Sequence, residues 1–266
     1  MKLNIIVCIK QVPGSSNVKV DPVTGVLMRD GVAGKMNPYD LYALELGLRL
    51  REQYGGTLRV VSMGPPAAAS VLREALWMGA DSGVLISDRR LGGADVLATA
   101  YTLSQAIAAM GDFDIVLCGK QTTDGDTAQV GPETAEFLHL PHAANVRTVE
   151  AAENGRVRYV AALDNKVVTA TVATPCLLCT DAEINTPRLP SYRKKCEAEK
   201  DAERIRVISV DDFTDRDAEH YGLAGSATKV ERIFPPEKNA DRQTIDGDDA
   251  AVCDAVFQVL KNRKYV

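Results

Sequence analysis

Residues 117–133, LCGKQTTDGDTAQVGPE, bring together the residue types that hold a phosphorylated ligand. The apolar run 114–119, DIVLCG, passes through Cys118 and stops at Gly119. Lys120, Gln121, Thr122 and Thr123 follow, then Asp124, Gly125 and Asp126, then Thr127, Ala128, Gln129, Val130 and Gly131 ahead of a proline. This order reads as a buried parallel strand opening into a loop and then a helix. In an open α/β sheet, ligands bind in the crevice beyond the carboxyl ends of the strands. The first N–H groups of a helix placed there are free to receive an anion, most often a phosphate. Small side chains at Gly125, Thr127, Ala128 and Gly131 let the backbone come close to such a group. Asp124 and Asp126 would repel phosphate, so they suit ribose hydroxyls or capping of the following helix; ordinary turn duty explains either as well. Lys120 could offset phosphate charge, or be a solvated surface lysine.

Other chemistries lack their residues. The chain has no GxxxxGK[ST] loop and no GxGxxG fingerprint after its first apolar run. Without a P-loop lysine and a metal-binding hydroxyl, ATPase chemistry is not expected. GxSxG and HExxH are absent, and His139, His142 and His220 complete no Ser/His/Asp set. Cys176 and Cys179 have CxxC spacing, but on a strand i and i+3 point to opposite faces, so no metal site is assigned there. The expected site holds a nucleotide without cleaving it. Three strand ends would converge on it: 7–10 with Cys8, 62–65 with Met63 and Gly64, and 118–131. Asn37, Pro38, Tyr39 and Asp40 would close it from one side.

The elements that must position these residues follow from periodicity. Residues 3–10 read as a strand, and alternating runs around Pro22 and Gly25 as a hairpin. Asn37-Pro38 offers an N-cap and a proline at the first helical position, followed by a helix with an apolar stripe at Leu41, Leu44 and Leu48. Strands at 57–63, 83–87 and 114–118 alternate with helices at 67–78, 94–110 and one ending near Leu140. Short strand–helix connections predict a doubly wound, mostly parallel Rossmann-like sheet. Runs at 144–152, 157–163 and 166–173, separated by Asn154-Gly155 and Asp164-Asn165, add an antiparallel extension, and 168–180 reads as strand. A last strand spans 205–210. The nucleotide-binding α/β domain is expected over 1–210, and a C-terminal arm over 211–266. That arm lacks a core pattern until an amphipathic helix at 248–263, with apolar residues at 251, 252, 255, 256, 259 and 260. Such an arm suits wrapping a partner subunit; packing back on the main domain is the alternative.

Charged residues make up 25% of the chain and apolar ones 45%, ordinary for a globular protein. A net charge of −5 argues against nucleic acid as a partner. No apolar run is long enough for a membrane span. The N-terminal run is too short for a signal peptide and no cleavage site follows it, so a cytoplasmic location is expected.

Several motifs, in order and over nearly the full length, resemble the beta subunit of electron-transfer flavoprotein. They are VCIKQVP at 7–13, MNPYD at 36–40, SMGP at 62–65, REALWMGAD at 73–81, the block 119–138 and NTPRLPS at 185–191. The resemblance implies a heterodimer with an alpha subunit carrying its own FAD, on which the arm docks. Family nucleotide contacts map onto Cys8, Asn37 to Asp40, Met63 and Lys120 to Gly131. A partner-recognition loop maps onto about 184–200, with Leu189, Pro190 and Tyr192 presented to the partner. The loop is slightly shorter than in mitochondrial-type members. The DGDTAQVGP run is similar to that of flavin-bifurcating members. These hold FAD in the beta subunit, take a hydride from NADH, and split the electrons between a low-potential acceptor such as ferredoxin and the alpha-subunit FAD. The latter serves an acyl-CoA dehydrogenase-type or other flavin dehydrogenase or reductase. Non-bifurcating members hold structural AMP instead. A universal-stress-type nucleotide-binding module is the reading from another class, disfavoured by the long tail and the 185–200 loop.

Overall fold

The computed structural model describes residues 2–14, 19–20, 27–28, 34–231 and 244–266. Its elements run β1 (Leu3–Cys8), β2 (Gln11–Pro13), β3 (Lys19–Val20), β4 (Leu27–Met28), β5 (Gly34–Met36), α1 (Pro38–Tyr54), β6 (Gly56–Met63) and α2 (Ala69–Met78). Then come β7 (Ser82–Ile86), α3 (Val96–Ala109), β8 (Ile115–Gly119), α4 (Val130–Phe137), β9 (His142–Glu153), β10 (Arg156–Leu163) and β11 (Lys166–Ala173). β12 (Cys176–Thr180), α5 (Tyr192–Ala198), β13 (Ile205–Ile208) and α6 (Asp249–Asn262) complete the chain. β3 pairs with β4 antiparallel, as a hairpin requires, though the turn at Pro22–Gly25 lies outside the described residues.

The main sheet has nine strands in the order β11-β10-β9-β12-β8-β1-β6-β7-β13. From β9 to β13 every neighbouring pair is parallel, while β9, β10 and β11 form the antiparallel meander. Helices cover both faces. Period-two alternation along each strand divides the core accordingly. In β1, Ile5 and Val7 join Leu44, Leu48 and Leu72 of α1 and α2 in one cluster. Ile6 and Cys8 join Leu103, Ile107 and Ala135 of α3 and α4 in the other. This is the expected doubly wound sheet, with a switch point between β1 and β8.

Three stretches differ from the sequence reading. The run 168–180 is two strands, broken at Thr174-Pro175. β11 stays at the antiparallel edge, while β12 is buried on both faces beside β8. Proline cannot donate to a ladder, so the pairing ends there. Cys176 and Cys179 fall in opposite core clusters. The stretch after Asn185 contains a short helix, α5, whose N-cap Ser191 accepts from the Lys194 N–H. The first compact unit runs to Glu231 and the second covers Arg232–Val266. The 210 boundary therefore falls short: Phe213 and Tyr221 are both buried in the α3/α4 cluster. Two isolated aromatics with no further apolar positions in register make no repeating face, so their burial was not visible as a pattern. Tyr101 of α3 packs on Tyr221 with ring centroids 5.6 Å apart, and its hydroxyl donates to Asp215 at 2.5 Å. In the second unit, no residue of α6 is buried, and Val256, Phe257, Val259 and Leu260 are exposed.

Phe213→Ala removes a fully enclosed ring and should cost about 3–5 kcal/mol of stability. Chemical denaturation checks this; an unchanged midpoint would place 211–231 outside the first unit's core.

Candidate functional site

At the switch point the chain leaves β1 for β6 on one side and returns to β8 on the other. The carboxyl ends of β1 and β8 part there, and three segments meet in the gap. Asn37 knots them together. Its N–H donates to Lys10 O at 2.9 Å, its side-chain amide donates to Gln121 O at 2.8 Å, and its Oδ1 accepts the Thr123 N–H at 3.2 Å. Asn37 occupies the N-cap position of α1, with Pro38 helping to start the helix, but its side chain caps nothing. It is spent on the loop instead.

Asp40, in the first turn of α1, points its carboxylate back into the same junction. Oδ2 accepts the Lys10 N–H at 2.8 Å, and the Gly119 N–H donates to the carboxylate as well. Burial pushes its pKa up to about 7, against the pull of these hydrogen bonds, the Asn37 side chain and the Lys10 charge. Gly119 must be glycine here, since a Cβ would overlap the Asp40 carboxylate and come within 2.7 Å of the Tyr39 carbonyl carbon. The Lys10 ammonium then reaches forward to chelate Asp124, at 2.8 and 2.9 Å. Burial works to raise Asp124, but Lys10 outweighs it and holds the carboxyl below its usual range.

Beyond this junction the loop is open. Residues 123–129 are exposed. The loop is shaped from within: Asp126 N–H donates to Thr122 O at 3.0 Å, Gly125 N–H to Thr122 Oγ1 at 3.3 Å, and the Gln121 amide to Asp126. Asp126 and Ala128 take left-handed backbone, with φ of 54° and 58°. Gln129 returns to right-handed backbone at the N-cap of α4, without a side-chain cap. A left–right alternation of this kind turns successive N–H groups into one concavity that accepts an anion. Among the described residues no acceptor takes the N–H groups of Thr127, Ala128, Gln129, Val130 or Gly131. Five adjacent free donors at a helix N-terminus suit the diphosphate or phosphate of a nucleotide. The donor set therefore fits the cofactor that the sequence implied.

Neither Asp124 nor Asp126 caps α4; one is paired with Lys10 and the other with Gln121. Lys120 lies 3.8 Å from Asp181, which also accepts from Arg147 at 3.2 Å. Gly131 is buried, and its missing side chain makes room for the Cys179 sulfur rather than for a ligand. The Cys118 thiol rests against Cys8, and this contact, burial and the charge of Asp40 raise its pKa far above normal. Both sulfurs are buried packing groups. Met63 and Gly64 end β6 one strand farther on, with the Gly64 N–H donating to Ile86 O of β7 at 3.0 Å rather than to the loop.

Asp181 carried no signal in the sequence reading, and Lys10 and Ser62 entered it only as members of the strand ends 7–10 and 62–65, without a role of their own. Lys10 and Asp181 each follow an apolar strand run directly, the position from which a polar side chain overhangs the crevice. Ser62 interrupts the apolar run of β6 and is fully buried, with no partner for its hydroxyl among the described residues. In the loop that follows β12, Leu189 and Tyr192 are 86% and 80% exposed, and Pro190 is exposed beside them.

Asp40 sets a pH dependence of stability. Folding raises its pKa from 3.8 to about 7, so the folded chain holds more protons than the unfolded one in that window. Stability accordingly falls as pH rises through it. Asp40→Asn should flatten this slope in denaturation midpoints measured from about pH 4 to 7. An unaltered slope would show that the Asp40 proton is not the cause.

A model of the Electron transfer flavoprotein domain family matches residues 24–221. The electron transfer flavoprotein subunit beta of Clostridium acetobutylicum is 41% identical over 264 residues, covering 99% of this chain and 100% of that one. Its counterpart from Thermoanaerobacterium thermosaccharolyticum is likewise 41% identical, with 99% and 100% covered. Protein FixA of Azorhizobium caulinodans is 39% identical over 270 residues, 98% of this chain and 95% of its own. The chain belongs to the beta-subunit (FixA) family of electron transfer flavoproteins.

Proposed function

We propose that this chain holds FAD against the 119–131 loop and pairs with an electron-transfer flavoprotein alpha subunit as a flavin-bifurcating carrier. In this role it takes reducing equivalents from NADH and divides them between a low-potential acceptor such as ferredoxin and the alpha-subunit FAD. The latter serves an acyl-CoA dehydrogenase-type or other flavin dehydrogenase or reductase. The reading rests above all on the N–H groups from Thr127 to Gly131, which find no acceptor among the described residues and run from an exposed loop into the first turn of α4, with no nucleophile and base beside them there. Such a site binds and orients without cutting.

Each part of the chain has a task in this scheme. The main chain of the loop receives the diphosphate. The exposed small residues Gly125, Thr127 and Ala128 leave open room on the solvent side for a ring system larger than the phosphates. Lys10, bound to Asp124, fixes the loop's outer turn and leaves a neutral pair rather than a bare carboxylate near the anion. When bound, the flavin would supply the redox chemistry, exchanging electrons in pairs or singly. The exposed apolar residues of α6 supply a docking surface of the kind an alpha subunit would cover. Leu189 offers an apolar anchor to the acceptor. All six cysteines are free, which accords with work in the reducing cytoplasm.

Flavin analysis of the purified heterodimer tests the cofactor: two flavins and no AMP are expected per pair. One flavin with one AMP would replace bifurcation by the simple carrier role, and self-association with no flavin would favour a universal-stress-type module. Leu189→Ala should keep the flavin content and lose electron transfer to the acceptor flavoprotein. Unchanged transfer rates would reject Leu189 as the anchor.

A further inference from the structure

A cleft of about 300 Å³ opens at the foot of Leu189, between the start of α1, the outer face of α2 and the loop that follows β12. Leu41, Tyr42, Met78, Pro187 and Leu189 supply its apolar lining, and Glu74 places a carboxylate in it. Burial raises the pKa of Glu74, and among the described residues no ion pair or hydrogen bond reaches that carboxylate. Arg188 also borders the cleft but is committed elsewhere. Its Nε donates to Glu45 at 2.8 Å, and a terminal nitrogen donates to Glu52 at 3.0 Å. Glu45 is itself almost wholly buried, so freeing Arg188 would strand a buried charge. Among the described residues that line it, the cleft thus has an unpaired acid, and its one cation, Arg188, is already paired.

We propose that this cleft receives one lysine or arginine side chain of the acceptor flavoprotein, with Glu74 as its counter-charge and Leu189 seated beside the pair. The inference rests on the partner-recognition reading above. Size admits this occupant: at about 300 Å³ the cleft lies at the bottom of the range for small-molecule pockets, about 300–1,000 Å³, and a single long side chain enters it readily. Chemistry fits as well. Pro187, Met78 and Leu41 cover a methylene stem, while Glu74 meets the charged end of the chain. Continuity with Leu189 means that docking which buries the leucine also desolvates the ion pair, and a pair desolvated beside an apolar anchor contributes more than one at an exposed rim. The net charge of −5 adds a favourable long-range field for a basic partner surface.

The test uses the intact heterodimer and the flavoprotein acceptor that the parent protein reduces. Glu74→Gln should raise KM for the acceptor by about tenfold or more, with kcat, flavin content and thermal midpoint unchanged. Glu74→Asp should recover part of the loss. The salt dependence of KM should weaken in Glu74→Gln, because the removed contact is ionic. If Glu74→Gln leaves KM unchanged while Leu189→Ala abolishes transfer, the cleft does not bind a cation and the anchor reading stands. Should neither variant alter transfer, the partner-recognition reading falls together with the cleft. Loss of flavin or of stability in Glu74→Gln would make the carboxylate structural and overturn the proposal.

Discussion

A carboxylic acid sealed inside the mouth of the sheet governs the shape of everything around it. Asp40 is almost fully buried, a costly position for a charge, yet it accepts main-chain N–H groups from both Lys10 and Gly119. Those two donors lie on the two strand ends whose separation creates the crevice. The hydrogen bonds offset part of the desolvation cost, and burial in turn keeps water from competing for them. Asn37 repeats the device one turn earlier, with amide groups instead of a carboxylate. The crevice is therefore not merely a gap between diverging strands. It is a junction in which polar side chains replace the ladder bonds that the parting strands give up.

This explains why the loop beyond can stay open. Its own hydrogen bonds are few and local, running from Gly125 and Asp126 to Thr122, and its next five N–H groups find no acceptor among the described residues. A loop with so little internal bonding would wander unless its base were fixed. Asn37, Asp40 and the Lys10–Asp124 pair provide that base from three directions. Grip through main-chain donors differs from grip through charged side chains. It adds no net charge to the protein, and no single side-chain replacement deletes it. Under the proposed function, selectivity among nucleotides comes from the room left around the loop rather than from the phosphate contacts.

How much of this was legible in the sequence varies by element. Strand–loop–helix at 114–137 could be read because burial on both faces gives an uninterrupted apolar run, and the glycine that stops it is required by Tyr39 and Asp40. The antiparallel meander announced itself through Asn-Gly and Asp-Asn turns. By contrast, β12 was hidden inside a longer β-rich run, because the passage from edge to centre changes burial, not propensity. The 211–231 segment was read as part of the arm, yet Phe213 and Tyr221 are core residues held by a few aromatic contacts rather than by a repeating face. The side-chain partners of Asp124 and Asp126 were not legible for a related reason. Their partners, Lys10 and Gln121, are fixed only after the chain has folded, and Lys10 lies more than a hundred residues away. Asn37 was recognised as important through its place before a proline, though the cap it suggested is not formed.

Under the proposed function, the anchoring of Arg188 bears on the tempo of encounter. Its guanidinium joins two carboxylates on α1, Asn185 donates to the Tyr42 carbonyl at 3.0 Å, and Ser191 donates to the Trp77 carbonyl at 2.9 Å. The leucine between them is therefore displayed on a stiff mount and surrenders little motion when another molecule covers it. An apolar tip that needs no folding to engage can seat and release quickly, since neither step waits on rearrangement of the chain. Short residence times of this kind are what a shuttle requires if it is to visit one protein to load and another to discharge.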